Sequence, residues 1–175
     1  VYSSSLRNTY IMLPLGAKLN IGYFSWAFIV NSLLFYKSKI KASKLLPLAK
    51  LCDEVLFDLK IMDATQARDV VKMNLPRVLE NLRLLVSEGV NVIPRLPLIP
   101  GFTLSRENMQ QALDVLIPLN IRQIHLLPFH QYGEPKYRLL GKTWSMKEVA
   151  TPSSADVATM REMAERAGFQ VTVGG

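Results

Sequence analysis

From residue 43 onward, short apolar runs alternate with stretches whose apolar residues recur at helical spacing, and this alternation limits the fold more than any other feature of the chain. Ser43 is placed to cap a short helix ending near residue 51, with Pro47 tolerable only in an opening turn. Residues 54–60 (EVLFDLK) read as a buried strand and 63–73 as a helix. Asn74 caps a stronger helix in which Leu75, Val78, Leu79, Leu82 and Leu85 or Val86 form an apolar stripe, and Gly89 stops it. A second strand is expected over 90–96, with PLIPG (97–101) as its exit loop. Ser105 caps the next helix, with Met109, Ala112, Leu113, Leu116 and Ile117 inward and an end near Pro118. A third strand over 121–127 leads into a long loop reaching about residue 151. Ser153 or Ser154 caps a last helix carrying Val157, Met160, Met163 and Ala164, which ends at Gly168 before a short strand over 169–173. Strands separated by helices at this spacing pair in parallel through right-handed crossovers, so residues 43–175 are expected to form part of an α/β barrel or of an open doubly wound sheet.

Residues 1–42 differ in kind. Up to Lys41 they hold Arg7, Lys18, Lys37, Lys39 and Lys41 and no acid, which accounts for +5 of the formal charge of +7. The remaining residues are close to balanced, so the basicity points to no polyanion and nucleic-acid binding is not expected. Residues 21–36 (IGYFSWAFIVNSLLFY) form a sixteen-residue apolar run followed by lysines. It is short of the roughly 20 residues that a membrane span takes. Either this acid-free stretch is foreign to the domain, through a frameshift, a fusion or a mis-assigned start, or it associates with a membrane. Cys52, the only cysteine, cannot form an internal disulfide, which favours a reducing, cytoplasmic setting.

The residues that carry chemistry cluster at strand ends. Asp58 and Lys60 are two apart on the first strand and so share a face. Arg95 closes the second strand, and His130 lies just past the third. Carboxyl ends of parallel strands form the rim where ligands bind, and this set would suit a zwitterionic or anionic small molecule. Each residue also has a plain structural alternative: Asp58 and Lys60 as a mutual ion pair, Arg95 as a solvated loop residue, His130 bonded to nearby backbone. His125, inside the third strand, is expected to be structural.

Four segments, CDEVLFDLKIMD (52–63), LENLRLL (79–85), IPRLPLIPGF (93–102) and HLLPFHQYGEPKYRLLG (125–141), resemble in order and spacing the activating enzymes of glycyl-radical enzymes, the pyruvate formate-lyase activating enzyme family. The resemblance favours the subgroup of alternative pyruvate formate-lyase activators. It implies the C-terminal half of a partial (β/α)6 radical S-adenosylmethionine barrel, with the last three barrel strands kept. It further implies S-adenosylmethionine and a 4Fe-4S cluster as cofactors, reduced flavodoxin as electron donor, and a glycyl-radical enzyme as the partner that receives the radical. By resemblance, Asp58 belongs to a cation site beside the cofactor carboxylate, Lys60 faces that carboxylate, Arg95 lies on the cofactor or substrate side, and His130 lies at the cofactor edge.

Two departures matter. No CxxxCxxC is present, and Gly-Gly-Glu is missing, the only adjacent glycines being Gly174 and Gly175. The chain is therefore expected to be inactive by itself, and a lone Cys52 before a strand reads as core packing and not as a ligand. Losing the first barrel strands would also leave an open sheet edge that residues 1–41 or a second copy must cover. The alternative function is a non-catalytic half-barrel that binds the glycyl-radical partner. A phosphate- or sugar-binding barrel is disfavoured because no glycine-rich phosphate loop is present.

Overall fold

The computed structural model describes residues 27–29, 42–139, 141 and 143–174. In chain order the elements are β1 (Ala27–Ile29), α1 (Ala42–Ala49), β2 (Glu54–Asp58), α2 (Ala64–Val71), α3 (Leu75–Ser87), β3 (Val92–Leu98), α4 (Arg106–Leu116), β4 (Gln123–Pro128), α5 (Glu134–Leu139), α6 (Ser154–Arg166) and β5 (Gln170–Val173). All neighbouring strands pair in parallel, and their order across the sheet is their order in the chain. Successive right-handed crossovers in one direction place the connecting helices on one face of the sheet. The core agrees: Val55, Phe57, Leu59, Val92, Leu96, Leu98, Ile124 and Leu126, all from one side of the pleat, pack with Val78, Leu82, Leu85, Met109, Leu113, Leu116 and Met160 from the helices.

The caps follow local chemistry. Asn74 Oδ1 accepts from the Arg77 amide, Ser105 caps α4 through the Asn108 amide, and Ser153 forms a reciprocal capping box with Asp156. Asp63 caps α2, and Lys72 ends it in the left-handed region with φ of 56°.

Several boundaries differ from the sequence expectations. The helix expected to start after Ser43 starts at Ala42, so Pro47 falls in its second turn, where it has no N–H to give to the helix ladder. β2 stops at Asp58 and Lys60 lies beyond it, while β3 runs over Val92–Leu98 and takes in both Pro94 and Pro97. Ile117 is 51% exposed, because the chain tightens into a 3-10 turn at Ile117–Leu119 that rotates it outward and leaves Leu116 as the last buried position. The expected long loop after β4 contains a 3-10 turn at Gln131–Gly133 and the short helix α5.

Residues 43–175 supply four strands, as the spacing predicts, and β1 is a fifth. Ala27, Phe28 and Ile29 pair with Glu54, Val55 and Leu56, so the edge of β2 expected to be open is paired by the chain's own apolar segment. Within the run 21–36 these three residues are strand, and the rest of that run lies outside the described residues. Among the described residues, no helix is long and apolar enough to cross a membrane.

Phe57 is fully buried at the centre of this core. Phe57→Ala is expected to cost about 3–5 kcal/mol of unfolding free energy, read from the midpoint of a urea titration.

Candidate functional site

The sheet face away from the helices carries the polar residues. Register aligns Asp58 of β2 with Arg95 of β3, Arg95 with His125 of β4, and His125 with Thr172 of β5. Residues in register on parallel strands project to the same side, so these four form one row across the sheet. Gln123 and Gln170 form a second aligned pair two residues back on the same face.

Asp58 and Arg95 are the centre of the row. Arg95 Nε donates to Asp58 Oδ1 at 2.8 Å, and both side chains are almost wholly buried. Arg95 Nη2 lies 2.7 Å from the same oxygen, within ion-pair reach, yet its N–H directions miss it, and it makes no hydrogen bond among the described residues. The contact is an electrostatic attraction and not an aligned hydrogen bond, which depends on direction as well as distance. Lys60 Nζ stands 4.0 Å from Asp58 Oδ2, with its side chain 17% exposed. One carboxylate therefore gathers two cations at the carboxyl end of β2, and Arg95, expected to close its strand, lies in the middle of β3, which runs on to Leu98.

The ladder explains where this cluster lies. Leu59 N–H donates to Arg95 O at 2.9 Å. The next parallel-ladder bond would run from residue 97 back to the Leu59 carbonyl, but Pro97 has no N–H to give. The two chains part there. The segment after β2 turns to Asn108 of α4: Asn108 Nδ2 donates to Lys60 O at 2.8 Å, and Met62 N–H donates to Asn108 Oδ1 at 2.8 Å. The segment after β3 closes on itself, with Thr103 Oγ1 donating to Pro97 O and accepting from Ile99 N–H at 2.9 Å. Asn108 and Thr103 were missed by sequence reasoning. The signal that could have exposed them is the pair of prolines around Arg95, which leaves carbonyls in need of new donors.

His130 sits at the same rim, two residues past the end of β4, but its contact is with Tyr132, whose ring stacks on it at 5.2 Å between centroids. The structure thus brings Asp58, Lys60 and Arg95 together and places His130 on the same edge without joining it to them. Gln131 organises the loop behind it. Its Nε2 donates to Val149 O at 2.7 Å and Met146 O at 2.9 Å, while Oε1 accepts from Trp144 Nε1 at 2.6 Å. Phe129 and Trp144 stack at 6.5 Å.

His125 lies beside Arg95. Partial burial, and then the Arg95 charge, push its pKa below the ordinary value, with Glu54 opposing. Cys52 is half-buried against the core, with Sγ 3.4 Å from Leu48 O, and burial followed by the Asp53 charge pushes its thiol pKa up. Its thiolate is disfavoured, and among the described residues no group of His, Cys, Asp and Glu could hold a metal ion.

A parallel α/β sheet with helices on one face and a charged cluster at the carboxyl end of β2 defines an α/β half-barrel. In structure, the chain resembles a domain of pyruvate-formate lyase-activating enzyme from Bacteroides vulgatus, with a TM-score of 0.66 at 22% identity over 85% of this chain and 80% of that one. It also resembles a radical SAM methyltransferase from Sphaerobacter thermophilus, with a TM-score of 0.59 at 17% identity over 76% of this chain and 37% of that one. In sequence, it is 98% identical over 134 residues to the pyruvate formate-lyase 2-activating enzyme of Escherichia coli K12, which covers 77% of this chain and 46% of that protein. It is 30% identical over 129 residues to the trans-4-hydroxy-L-proline dehydratase activating enzyme of Clostridioides difficile, 73% of this chain and 43% of that protein. No family model matches. The chain belongs to the activating enzymes of glycyl-radical enzymes, and it spans about half the length of the curated relatives it matches.

Removing one member of the buried pair strands the other. Asp58→Ala is expected to cost about 3–5 kcal/mol in chemical denaturation, and Asp58→Ala with Arg95→Met distinctly less. The depressed His125 pKa also sets a sign. The unfolded chain takes up the imidazole proton first, so the stability from the neutral ring is full above about pH 6.5 and declines as pH falls below it. Proton NMR of the His125 ring should show a midpoint below that value, and His125→Gln should flatten this part of the stability profile.

Proposed function

We propose that the charged rim binds the methionine end of S-adenosylmethionine and that the chain is the cofactor-side portion of a glycyl-radical-enzyme activator. The observation that carries this is the buried Nη2 of Arg95, in ion-pair reach of Asp58 but without a hydrogen bond, near Lys60 at the carboxyl end of β2. A buried guanidinium donor calls for an anionic acceptor, and a carboxylate has the geometry to meet it. Lys60 and Arg95 draw the cofactor carboxylate, Asp58 holds both cations in place and contributes to a cation site beside that carboxylate, and His130 borders the cofactor edge. S-adenosylmethionine, when bound and reductively cleaved, would supply the radical chemistry by which such activators remove a hydrogen atom from a partner glycine. The partner is a glycyl-radical enzyme of the pyruvate formate-lyase kind, reduced flavodoxin is the electron donor, and the setting is cytoplasmic.

The cluster is another matter. Four thiolates hold a typical 4Fe-4S centre, or fewer when the cofactor completes it, and this chain offers Cys52 alone, with its thiol form favoured. The residues present do not fit that group, so we infer that these 175 residues by themselves do not generate the radical.

Anaerobic calorimetry with S-adenosylmethionine after iron–sulfide treatment tests both parts. The expected result is measurable binding with iron far below one cluster per chain, and affinity reduced about tenfold or more, at least 1.4 kcal/mol, in Lys60→Ala. Unchanged affinity in Lys60→Ala removes that residue from the site. A full complement of iron and sulfide overturns the inference from the single cysteine. Absence of binding beside capture of the glycyl-radical partner would favour a non-catalytic binding module.

A further inference from the structure

Where the ladder stops, Asn108 takes over. Its side-chain amide bonds the segment after β2 as a neighbouring strand would, donating to the Lys60 carbonyl and accepting from the Met62 amide, both at 2.8 Å. The same Nδ2 reaches Thr103 O at 3.3 Å, in the loop that follows the strand carrying Arg95. Asn108 is itself placed by the start of α4, where its backbone amide donates to the Ser105 cap at 3.1 Å. One amide thus joins the segment carrying Lys60 to the loop leaving β3. Lys60 needs such a hold because it lies outside β2, just past Leu59, whose carbonyl Pro97 has no N–H to meet.

We propose that Asn108 is a positioning residue for the cofactor site: it fixes the Lys60 backbone so that the ammonium stays beside Asp58 and facing the cofactor carboxylate. This rests on the reading of the rim as an S-adenosylmethionine site. The chemistry requires an amide. A carboxylate at 108 would keep the acceptor for Met62 and lose the donor for Lys60, and an apolar side chain of similar size would lose both. Four methylenes separate the lysine backbone from its charge, so releasing the backbone spreads the ammonium over many positions and raises the entropic cost of pairing it with a ligand.

The full chain is compared with Asn108→Leu, Asn108→Asp, Lys60→Ala and Leu113→Ala. Leu113→Ala cuts a cavity under the same helix while leaving the amide in place. Two measurements are made on each variant: S-adenosylmethionine affinity by calorimetry, and the rate at which an amine-reactive acetylating reagent modifies Lys60 relative to the exposed Lys50, read by mass spectrometry without cofactor. The expected result is affinity weakened about tenfold or more in both Asn108 variants, with Lys60 acetylated several-fold faster relative to Lys50. Leu113→Ala should lose stability and change neither readout. Asn108 variants that behave like Leu113→Ala, less stable but with affinity and Lys60 labelling unchanged, overturn the proposal. If the unaltered chain binds no S-adenosylmethionine, the cofactor reading fails, and the labelling ratio still decides the clamp: faster acetylation of Lys60 in the Asn108 variants upholds it and an unchanged ratio defeats it.

Discussion

The β2–β3 ladder and the place where it ends shape the rim. Parallel pairing brings Asp58 opposite Arg95, and the missing N–H of Pro97 stops the pairing one bond later. Had the ladder continued, the Leu59 carbonyl would be committed to β3 and Lys60 would be a strand residue. Instead it stands just past the strand, tied to α4 by Asn108 and close to the Asp58 carboxylate. The carboxyl ends of parallel strands are where such a fold can hold reactive groups without disturbing its core, and here a single imino acid decides how far the strand runs before that mouth begins.

A buried carboxylate with two cations is costly to assemble. Each charge loses its water, and the return depends on alignment. Arg95 is aligned through Nε only, which leaves Nη2 buried with a donor unspent. In a purely structural ion pair, a bidentate fork would satisfy both nitrogens. His125, on the next strand, feels the same charge, which together with its partial burial holds it toward the neutral form. The row across the sheet is therefore weighted toward positive charge at Arg95 and Lys60, with Asp58 as its local counterweight.

The edges of the sheet follow a different logic. A half-barrel leaves strand edges whose unmet donors and acceptors invite pairing. On the β2 side, Ala27–Ile29 supply parallel bonds, although the sequence from which they come lacks the amphipathic pattern of the rest. Backbone hydrogen bonding needs no side-chain pattern, which is why an apolar, acid-free segment can occupy that edge. On the other side, β5 is short and largely exposed.

The sequence by itself determined the alternation of strands and helices, their parallel pairing, the caps at Asn74, Ser105 and Ser153, and the family of the segment that follows residue 43. These rest on local periodicity and on side chains that bond backbone within a few residues, and both are written in the order of the chain. The rim was legible in part: Asp58 and Lys60 could be placed at a strand end by spacing, whereas Arg95, expected to close its strand, lies in the middle of β3, and His130 stacks on Tyr132. Strand limits were less legible, because Pro94 and Pro97 read locally as loop and only the pairing with β2 and β4 made them strand. Ile117 was misplaced for a related reason: the helical period was extended past the point where the turn tightens. Tertiary structure alone decided the roles of Asn108, Thr103 and Gln131, whose partners lie up to 48 residues away, and the pairing of Ala27–Ile29 with β2. Those contacts satisfy backbone groups left over once the strands have paired, and which groups are left over is known only when the whole sheet is in place.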